Sequence, residues 1–100
     1  MPELFDTAEV VATLRDGRII AKATRSVVVP ARGNVNFVIR IPDLKYIETV
    51  LNVEFYSNPD TYIESGYMDK KISGNVVGMT IYGVASGTTL TGEVVAIGPP

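Results

Sequence analysis

The stretch NVNFVIRIP, residues 34–42, constrains the fold more than any other part of the chain. Val35, Phe37, Ile39 and Ile41 alternate with Asn34, Asn36, Val38 and Arg40. That period of two lays one apolar face along a half-buried β-strand. Pro42 ends it, because proline has no N–H to donate to a ladder.

Other segments repeat the pattern. EVVATL and RIIAKATRSVVV flank Arg15-Asp16-Gly17-Arg18, and Asp-Gly between two apolar runs is a strong hairpin signal because both central positions tolerate positive φ. Residues 9–14 are therefore expected to pair with 18–29. In PDLKYIETVLNVEFY, Leu44, Ile47, Leu51 and Phe55 form a helical stripe behind an Asp43 cap, whereas Ile47, Thr49, Leu51, Val53 and Phe55 form a strand face. The β-branched and aromatic content favours a tight turn over 42–46 and a strand over 47–56. The polar stretch SNPDTYIESGYMDKKISGN reads as the longest irregular region, with a turn at Asn58-Pro59-Asp60 and one short strand at Tyr62–Glu64. NVVGMTIYGV and LTGEVVAIG give two more strands, with ASGTT between them as a hairpin connection and Gly98-Pro99-Pro100 as the stop.

Six to seven short strands with turns every 10–15 residues or so predict an all-β fold, a small antiparallel β-sandwich or barrel-like domain. The 100 residues suffice for a single β domain. PELFDTAEV stands apart: Pro2 suits a first helical position and Leu4, Phe5 and Ala8 have helical spacing, yet the segment is too short to be stable alone. Residues 1–8 are expected to be either a frayed start or an arm that docks elsewhere.

The chain has no cysteine and no histidine. Thiol nucleophiles, zinc–thiolate sites, disulfides and any Ser-His-Asp arrangement are thereby excluded. Ser26, Ser57, Ser65, Ser73 and Ser86 have no imidazole to activate them, and none sits in a G-x-S-x-G elbow. Asp60, Glu64 and Asp69 do not have the spacing of a calcium loop and read as a solvated loop. Gly83, Gly87 and Gly92 suggest a phosphate cradle, but no Gly-Lys-Ser/Thr ending and no helix follows them. The expectation is no enzyme, no catalytic residue, no metal and no cofactor.

Net charge is −2, with an asymmetry along the chain. Arg15, Arg18, Lys22, Arg25, Arg32 and Arg40 precede Asp43, Glu48, Glu54, Asp60, Glu64 and Asp69. Opposite charges on neighbouring strands of one molecule explain this split, and a basic face of one copy meeting an acidic face of the next explains it as well. Basic residues and tyrosines do not interleave, which argues against nucleic acid. The N-terminus lacks the pattern of a signal peptide, and no window approaches about 18 uninterrupted apolar residues, so no membrane partner is expected. Tyr56, Tyr62, Tyr67 and Met68 cluster around the polar stretch, and tyrosine is favoured at interfaces.

ISGNVVGMTIYGVASGTTLTGEVVAIGPP, together with NFVIRIPDLKYIETVLNVEFY, resembles the C-terminal half of small structural proteins of tailed bacteriophages and related archaeal viruses, over residues 35–98 or so. The resemblance implies a structural component of a virion or prophage, a homo-oligomer with sheet edges paired across subunits, and no catalytic residues. Its setting would be the virion or the cytoplasm of the host cell, with other structural proteins as further partners. The candidate interface residues are Leu4, Phe5, Tyr62, Tyr67 and Met68. The other reading is a ligand-binding β-sandwich of carbohydrate-binding type, using Tyr62 and Tyr67 with Asp60 and Glu64.

Overall fold

The computed structural model describes residues 4–30, 35–58 and 67–100. These residues form seven strands and no helix: β1 (Thr7–Thr13), β2 (Ile19–Val28), β3 (Val35–Arg40), β4 (Thr49–Asn58), β5 (Tyr67–Ser73), β6 (Val76–Ile81) and β7 (Thr89–Gly98). They make two antiparallel sheets, β1-β2-β7-β4 and β3-β6-β5, which is a β-sandwich rather than a closed barrel.

The two inner faces together supply the core. On the four-stranded sheet, Ala21, Ala23, Gly92 and Ala96 point inwards and are buried. Opposite them the three-stranded sheet contributes Phe37, Ile39, Val77, Met79 and Ile81. Ile19, Leu90 and Val94 add larger buried side chains to the first face. Gly92 shows how closely the faces fit: a Cβ there would lie 2.5 Å from the Phe37 ring and 2.7 Å from that of Phe55. The two rings meet edge to face, 5.1 Å apart at 85°, an arrangement worth about 1 kcal/mol beyond area burial.

The β1–β2 hairpin and the alternation of β3 follow the sequence pattern, with Val35, Phe37, Ile39 and Ile41 all buried. The 43–56 ambiguity resolves as a strand, which begins at Thr49, and its face differs from the expected Ile47, Thr49, Leu51, Val53 and Phe55. A bulge between Val50 and Asn52 leaves Leu51 without a partner on β7. The bulge shifts the phase of the pleat, so Val50, Val53, Phe55 and Ser57 turn inwards while Thr49 and Leu51 are exposed. The preceding link is packed: Leu44 and Ile47 are buried, and Lys45 N–H donates to the Pro99 carbonyl at 2.8 Å.

Two expectations are corrected. Residues 82–98 are not a hairpin, since β6 pairs with β3 and β5 whereas β7 pairs with β2 and β4. The link 82–88 crosses the sandwich from one sheet to the other, held by buried Val84 and by Val29 N–H donating to the Thr88 carbonyl at 2.9 Å. The polar stretch is also more regular than expected, because β5 runs through its second half and closes onto β6 by a two-residue turn, Gly74-Asn75. Gly74 has φ +59 at the first central position, where a type II′ turn places glycine. The short strand expected at Tyr62–Glu64 lies outside the described residues.

Residues 4–6 of the N-terminal segment lie against the rest of the chain. Leu4 has φ +66, which no helix contains. Phe5 packs partly buried against the core, and the strand begins at Thr7.

Candidate interaction surface

Among the described residues the four-stranded sheet is one strand wider than its partner. β3 comes against β2, so β1 overhangs on that flank. Val10 pairs with inward-facing Ala21, yet it is 46% exposed, and its neighbour Val11 is 53% exposed. A bulge between Val10 and Ala12 leaves Val11 without a partner on β2.

Local chemistry fixes β1 on β2. Gly17 takes φ +92 in the turn, and Leu14 N–H donates to the Arg18 carbonyl at 2.8 Å. Asp16 accepts from the Arg18 backbone N–H at 3.1 Å and from its guanidinium at 2.8 Å. The backbone bond first, then the guanidinium, holds the Asp16 carboxyl below the ordinary carboxylate value. Arg18 also donates to Glu48 at 3.1 Å, and this contact, ahead of Asp16, raises its own pKa. Further along, Lys22 reaches Glu9 across the ladder at 3.0 Å, which raises the lysine pKa. Thr7 and Thr24 join their hydroxyls on the same outer face, and Ser26 and Thr91 do so at 2.8 Å. Arg18–Glu48 thus joins the basic and acidic runs of the sequence within one molecule.

The adjoining edge, that of β3, is covered towards its Arg40 end. Arg40 N–H donates to the Leu4 carbonyl at 2.9 Å, and the Arg25 guanidinium crosses from β2 to the Val38 carbonyl. Asp6 then returns the chain to the other sheet: its N–H donates to the Thr24 carbonyl and its carboxylate accepts from Ser26 N–H, both at 2.7 Å.

Of the residues singled out from the sequence, the described ones fall in two separate places. Leu4 lies at the Arg40 end of β3. Tyr67 and Met68 open β5, opposite Ile81 and Thr80, at the Val35 end of the same sheet and on its other edge. Asp60, Tyr62 and Glu64 lie outside the described residues. Val10 and Val11 were not singled out; their signal is three successive apolar residues, Val10-Val11-Ala12, where a half-buried strand alternates.

A hollow of about 370 Å³ lies over the outer face of the three-stranded sheet, floored by Gly78 and lined by Asn36, Lys71 and Thr80, with Thr80 donating to Asn36 at 3.2 Å. A Cβ on Gly78 would meet nothing closer than Val38 Cγ2 at 3.9 Å, so packing does not require glycine there. Among the described residues every buried side-chain nitrogen and oxygen has a partner, and no helix is long and apolar enough to cross a membrane. Comparison of the chain with protein families, with curated proteins and with solved structures finds no match.

Proposed function

We propose that the chain is a non-catalytic structural module that works by self-association, as a building block of a larger assembly. The observation that carries this reading is the β1 edge: an overhanging strand with two exposed valines, beside a β3 edge that Leu4 and Arg25 cover towards its Arg40 end. An unpaired strand edge is a template for another strand unless it is covered or charged. Among the residues of β1, only Glu9 is charged, and Lys22 engages it. The setting we propose, a virion or prophage particle with other structural proteins as neighbours, rests on the resemblance of residues 35–98. Light scattering on the purified chain tests the reading. Association that grows with concentration is expected, and a monomer persisting at high concentration across salt conditions overturns it.

A further inference from the structure

We infer that the occupant of the β1 edge is the β1 strand of a second copy, antiparallel about a two-fold axis centred between Val10 and Val11. This rests on the self-association proposed above and specifies the surface and its register.

The backbone supplies the first argument. Leu14 N–H donates to Arg18 and Asp6 N–H donates to Thr24, so β2 bonds β1 through its even-numbered residues. Bonding alternates along an antiparallel ladder. The β1 residues opposite Ile19, Ala21 and Ala23, which are Thr13, Val10 and Ala8, therefore turn N–H and C=O away from β2. These groups are the ones a further strand would engage.

The bulge supplies the second. Thr7 and Glu9 pair with Thr24 and Lys22, and Ala12 pairs with Ile20, so all three share the outer face. Ala8 and Val10 pair with Ala23 and Ala21, and Thr13 pairs with Ile19, so these share the inner face. Two strands in one sheet must match face to face, because a one-residue slip inverts every side chain. A two-fold axis through Val10 fails, since it sets Thr7 on the outer face against Thr13 on the inner. An axis through Glu9 matches faces but sets two carboxylates opposite each other, which is destabilising. An axis between Val10 and Val11 sets Ala8 against Thr13 and Glu9 against Ala12, each on a common face. It also makes Ala8 and Thr13, both with outward backbone groups, a hydrogen-bonded pair. The two bulges then lie at the axis, and Val10 of each copy adjoins Val11 of the other. The exposed valines of both copies are covered together, and no two charges of like sign oppose each other. The product is an eight-stranded sheet across two sandwiches.

Sedimentation equilibrium on the full chain tests this, with Val10→Lys and Val11→Lys against Leu51→Lys on the other edge of the sheet as control. The expected result is a dimer weakened at least tenfold by either β1 change and unaffected by Leu51→Lys. To separate interface loss from any effect of lysine on folding, the double variant Glu9→Cys/Ala12→Cys gives an independent readout in a chain that has no cysteine of its own. The two positions are about 10 Å apart within one strand, beyond disulfide reach. Oxidation is therefore expected to give a covalent dimer from the double variant and none from Glu9→Cys alone. A monomeric wild type overturns both the self-association and this interface. An associating wild type whose dimer survives Val10→Lys and Val11→Lys, or is lost with Leu51→Lys, overturns the interface and leaves self-association standing. A covalent dimer from Glu9→Cys alone overturns the register.

Discussion

β1 and β3 are edge strands on the same flank of the sandwich, and they end differently. The outer side of β3 is covered at Val38 and Arg40 by the Arg25 guanidinium and the Leu4 carbonyl, while that of β1 turns backbone groups and two exposed valines outwards. The difference is economical in chain length. Residues 4–6 bridge from β3 to β2 and so cover the first edge on their way to starting the second. Once they become β1, that flank has no further segment among the described residues to lay over them. A covered edge beside an open one is what distinguishes a surface kept from pairing from one left available for it.

The comparison breaks most severely if the covered edge loses its anchor. Phe37 is fully buried, and its ring fills the space that Gly92 leaves against Phe55. Phe37→Ala is expected to cost about 3–5 kcal/mol in chemical denaturation. A loss below about 1 kcal/mol would mean that β3 is not held by this aromatic contact.

A smaller change removes the closure and leaves the core in place. Arg25→Met keeps the apolar stem and deletes the bond to the Val38 carbonyl. A hydrogen bond to a charged group is worth about 1.5–3 kcal/mol, and the contact is only part-buried, so the lower end is expected. Opening this edge should also add self-association that Val10→Lys does not remove. An Arg25→Met protein with wild-type stability and wild-type sedimentation would show that Arg25 does not guard β3.

How much of this was legible in the sequence follows from which interactions are local. The alternation of Val35 to Ile41 and the Asp16-Gly17 turn report on residues that are neighbours in the chain, and the buried face of β3 and the β1–β2 pairing are both found as expected. The link 82–88 misleads because its glycines report a bend but not the strand's eventual partner. That partner is set by β2 and β4, more than thirty residues away in sequence. Gly92 falls within the expected strand LTGEVVAIG, but what requires glycine there is a pair of aromatic rings from two other strands. The bulges at Val11 and Leu51 invert the phase of β1 and β4 partway along, so the expected face of β4 is only half right. The candidate surface was the least legible part, because whether an edge is open depends on what the rest of the chain lays over it.

The smallest expected effect sharpens the comparison through pH. Asp16 holds the turn that sets β1 on β2, and bonds from Arg18, backbone first, lower its pKa beneath the ordinary value of 3.8. A carboxylate with a lowered pKa in the folded chain stabilises it fully above the unfolded value, and the contribution is lost as pH falls through the folded value. Below about pH 4, therefore, the Arg15–Arg18 end of β1 should loosen before the rest of the sheet. The Arg25 contact across the neighbouring edge is to a carbonyl, which takes up no proton in that range. Amide hydrogen exchange between pH 3 and 6, corrected for intrinsic rates, should show Leu14 losing protection as Asp16 is protonated, while Arg40 does not follow the same titration. Asp16→Asn keeps an acceptor for Arg18 N–H but cannot titrate, so it should flatten the pH dependence at Leu14. If the dependence persists in that variant, the acid-sensitive group at the open edge is not Asp16.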